Sequence, residues 1–194
     1  MSWFNIGAIG PRTYRCGYCD NTVGPKEGYY RNEDSAGSRI YVCSFCDKPT
    51  YFQEADRTSV KQFPGVAFGE AVRSLPPDVE TLYNEARACT TVGAYTGAVL
   101  VCRKILMNAA VSLGAPTGKN FADYVTWLVA EGHVPKKGHG WVDHIRQRGN
   151  VANHEIPALS KDESEEMVIF TGMLLKMIHE FPARLPAGQN PPAP

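Results

Sequence analysis

The sequence predicts a mainly α fold, in which a small N-terminal β module precedes an up-and-down bundle of about five helices. Two Cys-x-x-Cys pairs lie within the first 50 residues, and apolar residues recur at helical spacing from residue 77 to residue 182. Proline and glycine are dense between these two regions. We therefore divide the chain into a β module over 1–53, a connector over 54–76, a helical bundle over 77–182 and a disordered tail over 183–194.

The composition limits the function classes. Of 194 residues, 43% are hydrophobic and 21% are charged, and 20 Lys and Arg balance 20 Asp and Glu. A packed core is therefore feasible, and a broadly basic nucleic-acid binder is excluded, so that any nucleic-acid contact has to come from a local patch. No apolar run approaches the roughly 18 residues of a membrane span, and the start lacks the basic region of a signal peptide. We expect a cytoplasmic protein, whose cysteines are not paired as disulfides.

Four cysteines have the spacing of a zinc ribbon. Cys16 and Cys19 form one pair, Cys43 and Cys46 form the other, and 23 residues separate the pairs. Two such turns supply four thiolates to the corners of a tetrahedron about 2.3 Å from a zinc ion. A redox dithiol or an iron site is the alternative for these cysteines. The arginines and tyrosines between them either bind nucleic acid or form a solvated face.

Helix signals follow in order along the second region. The first helix starts at Pro77, the second covers about Ala94–Leu113, and Asn120 caps the third. The fourth covers about Trp141–Gln147, and the capping-box pattern Ser160–Glu163 opens the fifth.

A cationic segment lies between residues 132 and 154. Its four cations against one aspartate give a net charge of +3 with histidine neutral. The cations are Lys136, Lys137, Arg146 and Arg148. Arg148, Asn150 and His154 lie within seven residues of one another, and a guanidinium beside an imidazole suits a phosphate ligand and proton transfer. The same residues also fit a turn, a helix cap and a structural histidine, so both interpretations stay open.

Several stretches resemble a known family. They are Leu75-Pro76-Pro77, Tyr83–Ala86, Gly93–Ala98 continuing to Arg103–Leu106, and Arg148–Glu155. In these stretches the chain resembles the bacterial and phage family catalogued as domain of unknown function four-one-four-five, within the HEPN superfamily of helical-bundle ribonucleases. A zinc ribbon and a Phe63-Pro64-Gly65 connector before the bundle also resemble many members.

The resemblance implies an HEPN-like bundle and a metal-independent ribonuclease that works as a homodimer. The hallmark of the superfamily, an arginine followed after four to six residues by a histidine, is matched by Arg148 and His154. His154 would then be the general acid and base, Arg148 would hold the phosphate, and Asn150 would orient it. Arg103, together with Arg146, Lys136 and Lys137, would add positive charge for substrate binding.

Two functions of different classes are therefore expected. The first is RNA binding with cleavage, in defence or counter-defence between phage and bacterium. The second is a non-catalytic module that dimerises through its bundle and binds a protein partner through its zinc ribbon. A sensor of a nucleotide signal would use the same cationic segment.

Overall fold

The computed structural model describes residues 3–30, 38–54, 60–134, 145 and 159–186. The chain separates into two compact units, Met1–Ala67 and Phe68–Pro194. Each unit has its own hydrophobic core, one built on aromatic side chains and cysteines and the other on helices.

The first unit consists of two antiparallel β-sheets. A five-stranded sheet has the strand order β1-β4-β5-β6-β7, and a two-stranded sheet pairs β2 with β3. The strands are β1 (Gly7–Ala8), β2 (Tyr14–Arg15), β3 (Thr22–Val23), β4 (Glu27–Tyr30), β5 (Arg39–Val42), β6 (Pro49–Glu54) and β7 (Val60–Phe63). Strands β4 and β5 pair antiparallel, with Tyr29 opposite Ile40.

Three aromatic rings form the core of this unit. Tyr14, Tyr41 and Phe52 pack with ring centroids 5.0 to 6.1 Å apart, and Phe52 meets both tyrosines edge to face. The hydroxyl of Tyr41 donates a hydrogen bond to the Gly10 carbonyl at 2.8 Å. Gly28 faces the Ile40 carbonyl, which would lie 2.0 Å from a Cβ, so only glycine fits at this position. Aromatic burial thus substitutes for the larger aliphatic core that a unit of this size lacks.

The predicted fold class is wrong for the chain as a whole. The chain is neither mainly α nor plainly a helical bundle, because its first unit is mostly β and contains a five-stranded sheet. One strand of this sheet that was not predicted is β7, which pairs antiparallel with β6. Residues 54–76 were expected to be an irregular connector because of their prolines and glycines. Pairing with β6 makes Val60–Phe63 a strand in spite of that local preference. The side chain of Gln62 adds hydrogen bonds to the Arg15 and Pro64 carbonyls.

The described part of the second unit contains four helices of ten residues or more. They are α1 (Pro77–Thr91), α2 (Tyr95–Ser112), α3 (Phe121–Ala130) and α4 (Lys161–Leu175). A π-helical stretch, Lys176–Glu180, and a short turn, Phe181–Ala183, extend α4. The helix expected over about 141–147 lies outside the described residues apart from Ile145. None of the helices of the described residues has the length and apolarity that crossing a membrane requires.

Local sequence signals set the helix starts. Pro77 occupies the first turn of α1, and the Asn120 side chain accepts a hydrogen bond from the Asp123 backbone N–H. Ser160 and Glu163 cap α4 reciprocally, which confirms the expected capping box. The caps satisfy backbone N–H groups that a helix start otherwise leaves without partners.

Helix α2 lies at the centre of the second unit. It packs against α1, α3 and α4, and its face of small and aliphatic residues is fully buried. Between α1 and α4 the hydroxyls of Thr90 and Ser164 meet at 2.7 Å in a buried hydrogen bond. Arg87 on α1 donates to the carbonyls of Phe68 and Gly69, which holds the segment before α1 against the helices.

Glycine 172 marks the closest contact between α1 and α4. A Cβ at this position would lie 2.2 Å from the Tyr83 hydroxyl and 3.1 Å from Cζ. Tyr83 is buried, and its hydroxyl donates to the Glu70 carbonyl at 3.1 Å. Both residues also line a cavity of about 490 Å³ on this side of the unit. Burial and the hydrogen bond to Glu70 hold the tyrosine in place, so that a new methyl group displaces it only at an energetic cost.

We expect Gly172→Ala to destabilise the protein although alanine favours a helix. Overpacking of roughly 1–3 kcal/mol outweighs a helix-propensity gain of about 1 kcal/mol. Urea unfolding followed by circular dichroism measures the change. Gly97→Ala in α2 is the matched control, because its Cβ would meet the nearest side-chain atom, Cys89 Sγ, at an ordinary 3.8 Å. Stabilisation by both substitutions would contradict the tight packing of Tyr83.

Candidate functional site

Two short β-turns bring the four predicted metal ligands together. The first knuckle, Cys16–Asp20, lies between β2 and β3, and the second knuckle, Cys43–Asp47, lies between β5 and β6. The first knuckle therefore belongs to the two-stranded sheet and the second to the five-stranded sheet. The four cysteines join the two sheets at one point.

The two knuckles have the same backbone hydrogen bonds. The N–H of Asp20 donates to the Cys16 carbonyl at 2.9 Å, and the N–H of Asp47 donates to the Cys43 carbonyl at 3.0 Å. Both aspartates have left-handed backbone angles, with φ of 63° and 59°. Aspartate tolerates this region better than most residues, so its place directly after each Cys-x-x-Cys pair is a local reason for the turn.

Backbone N–H groups point at one sulfur of each knuckle. Tyr18 N–H donates to Cys16 Sγ at 3.4 Å, and Phe45 N–H donates to Cys43 Sγ at 3.5 Å. The turns thus orient one sulfur of each knuckle.

The four sulfur atoms form a compact cluster. All of them lie within 4.8 Å of one another. The Cys16–Cys46 and Cys19–Cys43 Sγ–Sγ distances, both across the two knuckles, are 3.8 Å. A tetrahedron of sulfurs about 2.3 Å from a zinc ion has edges of about 3.8 Å, so the donor set and its spacing are compatible with a zinc site.

The thiols of the cluster differ in acidity. Burial raises the pKa of Cys19, but hydrogen bonds from the backbone and side chain of Asn21 outweigh it and bring the pKa to about 7. Burial raises the pKa of Cys46 to about 12, and the neighbouring sulfurs contribute to the increase. One thiol therefore ionises near neutral pH, whereas charging all four needs a cation among them.

Arg103 is the one predicted substrate-binding residue within the described part of the chain. It lies on α2, is 6% exposed, and its guanidinium carbon is 4.6 Å from the centroid of the Phe121 ring. Burial lowers its pKa. Its buried Nη1 has no hydrogen-bond partner among the described residues. An unpaired buried cation is costly, because arginine does not lose its proton in proteins.

Arg87 shows what a paired arginine looks like in the same unit. It is 4% exposed, and Nε, Nη1 and Nη2 donate to the Phe68 carbonyl, the Asn84 side chain and the Gly69 carbonyl. Its role is structural, since it fixes the chain before α1. Arg103 is buried to a similar degree, but it differs from Arg87 in its hydrogen bonding.

The remaining predicted site residues lie outside the described residues. They are Lys136, Lys137, Arg146, Arg148, Asn150 and His154. Three described residues close to them in the sequence are core residues. Val134, Ile145 and Leu159 are buried in the same cluster as Phe121. The Leu159 N–H also donates to the Thr96 hydroxyl on α2 at 3.3 Å.

A cleft beside the second knuckle was not expected from the sequence. It has a volume of about 720 Å³, and Trp3 and Phe45 contribute its aromatic lining. The contact that forms it joins residues 44 positions apart, as Trp3 Nε1 donates to the Asp47 carbonyl at 3.0 Å. No local pattern signals such a contact; the sequence shows only that Phe45 lies between the two cysteines of the second Cys-x-x-Cys pair.

We expect Arg103→Met to stabilise the protein by roughly 1 kcal/mol. The substitution removes an unsatisfied buried donor and keeps a polarisable side chain against Phe121. Urea unfolding at neutral pH measures the change. Arg87→Met is the matched control and is expected to destabilise by roughly 2–4 kcal/mol, because it leaves two carbonyls without partners. A comparable loss for both variants would show that Arg103 is a structural residue like Arg87.

Comparison with known proteins identifies the helical part of the chain. A family model described as Domain of unknown function (DUF4145) matches residues 84–187, which is more than half of the 194 residues. The match starts within α1 and runs beyond the end of α4, so it falls within the second unit. Neither the curated proteins nor the solved structures contain a match. The chain therefore belongs to the family Domain of unknown function (DUF4145).

Proposed function

We propose that the four cysteines bind one structural zinc ion and that the second unit binds RNA and cleaves it without a catalytic metal. The cluster of four sulfurs within 4.8 Å supports the zinc site. Four protein ligands fill a tetrahedral zinc ion, so the metal would organise the first unit and leave no position for a substrate.

Nη1 of Arg103, a buried donor with no hydrogen-bond partner among the described residues, is the observation that carries the RNA proposal. A buried donor of this kind is expected where a protein keeps a cation for a ligand. The cationic segment over 132–154 adds a net +3 to the same unit. Phosphate is the ligand class that both features suit, because it accepts several charge-assisted hydrogen bonds.

The chemistry follows from Arg148 and His154, which fit the HEPN pattern of an arginine followed by a histidine. We propose that His154 removes the proton from a ribose 2′-hydroxyl, whose oxygen then attacks the adjacent phosphorus. The bond to the 5′-oxygen breaks, and that oxygen takes up a proton. Arg148 holds the negative charge that develops on the phosphate, and Asn150 orients it. The products are a 2′,3′-cyclic phosphate and a 5′-hydroxyl.

The proposal includes a homodimer in which two such motifs face one cleft. Arg103, Arg146, Lys136 and Lys137 would contact the RNA backbone, and each contact of this kind makes binding more sensitive to salt. The biological setting we propose is conflict between phage and bacterium. A dimer that binds RNA without cutting it is the second candidate, because a buried Arg103 donor without a partner among the described residues supports binding but not cleavage.

The zinc proposal predicts one zinc ion per chain by elemental analysis. Cys43→Ser is expected to lose the ion and the fold of the first unit, because metal binding contributes roughly 10–16 kcal/mol to small zinc modules. Near-ultraviolet circular dichroism of the packed tyrosines should fall, whereas the helical signal at 222 nm should stay. Cys89→Ser is the control, since Cys89 lies outside the cluster. A zinc-free protein with an unchanged tyrosine signal would contradict the proposal.

The ribonuclease proposal predicts that His154→Ala lowers the cleavage rate by roughly 10²–10⁴. The full chain is incubated with labelled single-stranded RNA in EDTA, and the zinc content is measured before and after. Fragments should carry 2′,3′-cyclic phosphate ends. His139→Ala, another histidine of the cationic segment, is the matched control and should cleave normally.

Binding and cleavage are separated in the same experiment. Arg103→Met should weaken RNA binding and reduce its salt dependence, whereas His154→Ala should bind RNA as the unsubstituted protein does. RNA binding without cleavage by the unsubstituted protein would favour the non-catalytic candidate. Cleavage that persists in His154→Ala would refute the assignment of His154.

A further inference from the structure

The cleft of the first unit is defined by Trp3, Lys26, Glu27, Phe45 and Asp47, and we refer to it as the Trp3 cleft. Its volume of about 720 Å³ is within the range of ligand-binding clefts. It lies in the first unit, whereas every residue assigned to RNA cleavage belongs to the second unit. Its chemistry therefore bears on a different ligand.

Trp3, one of the two aromatic residues of the lining, is held in place by a hydrogen bond and by a neighbouring ring. The Trp3 indole N–H is held by the Asp47 carbonyl at 3.0 Å, and its ring lies 6.4 Å from that of Tyr29. Tyr29 is held in turn, because its hydroxyl donates to the Phe4 carbonyl. Trp3 is still 37% exposed and Phe45 is 71% exposed. Two rings with exposed surface thus stand at the cleft, one of them anchored to the second knuckle.

The charges of the cleft favour a cation. Glu27 and Asp47 are exposed, and neither forms an ion pair with another residue of the described ranges. Lys26 is the single cation among the lining residues, so the lining carries two negative charges against one positive. Phosphate groups would be repelled, whereas a cation is attracted by the carboxylates and by the faces of the rings.

We propose that the Trp3 cleft binds an arginine or lysine side chain of a basic segment of a protein partner. The cation would stack on Trp3 or Phe45, and Glu27 and Asp47 would neutralise it. Aromatic side chains with carboxylates beside them provide both the cation–π attraction and the ion pairing that such a group needs. The inference goes beyond the proposed function, because it assigns a protein ligand to the first unit.

The test uses the full zinc-loaded chain and a fluorescent peptide of alternating glycine and arginine. Fluorescence anisotropy measures Kd, with a glycine–glutamate peptide and a single-stranded RNA as the other probes. We expect the arginine peptide to bind, and we expect its affinity to fall as the salt concentration rises. Phe45→Ala should raise Kd about tenfold through the loss of one ring, and Glu27→Gln should raise it about two- to fivefold through the loss of one exposed charge.

Tyr18→Ala is the matched control, because Tyr18 occupies in the first knuckle the position that Phe45 occupies in the second. Its ring faces the cation Lys48, at 5.0 Å from Nζ, and it does not line the Trp3 cleft. Normal peptide binding by Tyr18→Ala would support the assignment. Zinc content is measured for every variant, and Glu27→Gln, an exposed and nearly isosteric change, covers the case in which Phe45→Ala loses its metal.

Three results would overturn the inference. The first is no binding of the arginine peptide, and the second is equal weakening by Tyr18→Ala and Phe45→Ala. The third is RNA binding that Phe45→Ala weakens, since the cleft would then serve nucleic acid. Loss of RNA cleavage in His154→Ala has no bearing on any of these outcomes, so the two proposals fail separately.

Discussion

The convergence of four sulfur atoms is the constraint on which the first unit depends. The β2–β3 hairpin belongs to a separate small sheet, and the cysteine cluster connects its turn to the turn between β5 and β6. Among the described residues, the buried members of the aromatic core are Tyr14, Tyr41 and Phe52 together with Val23 and two of the cysteines. So few buried side chains contribute little hydrophobic free energy to folding. Binding of a metal ion would supply most of the remaining folding free energy of the first unit. The Trp3 cleft shares this dependence, because the carbonyl that holds Trp3 belongs to the second knuckle.

The second unit depends on ordinary helix packing and needs no such staple. Its core has 21 buried residues, and α2 contacts every other long helix of the described part. Against this background the two buried arginines stand out for opposite reasons. Arg87 has a partner for each of its three nitrogens and closes the fold, whereas Nη1 of Arg103 has none among the described residues. A stable core can accept the loss of folding free energy that one buried donor without such a partner causes. A protein that keeps a buried cation for a ligand has to accept this loss.

Features with local causes could be predicted from the sequence, and features with distant causes could not. The Asn120 cap, the Ser160 capping box and the helix starts depend on residues three or four positions apart. The cysteine cluster was predictable for the same reason, since each half is one tight turn. Strand β7 was missed because its partner β6 determines it, and strands of two residues are too short to show an alternating pattern. The Trp3 cleft depends on one contact across 44 residues, and nothing near Trp3 indicates it.

The π-helical end of α4 has a consequence for how this protein can change. The Glu180 carboxylate accepts a hydrogen bond from the Arg73 N–H at 3.1 Å and pairs with Arg184. The wider winding of Lys176–Glu180 amounts to about one extra residue in the helix, and each residue turns a helix by about 100°. Removing a single residue there would restore regular winding and swing the carboxylate away from Arg73. A deletion at this point would therefore remove one contact of the chain ahead of α1, whereas the hydrogen bonds of Arg87 to the Phe68 and Gly69 carbonyls would remain.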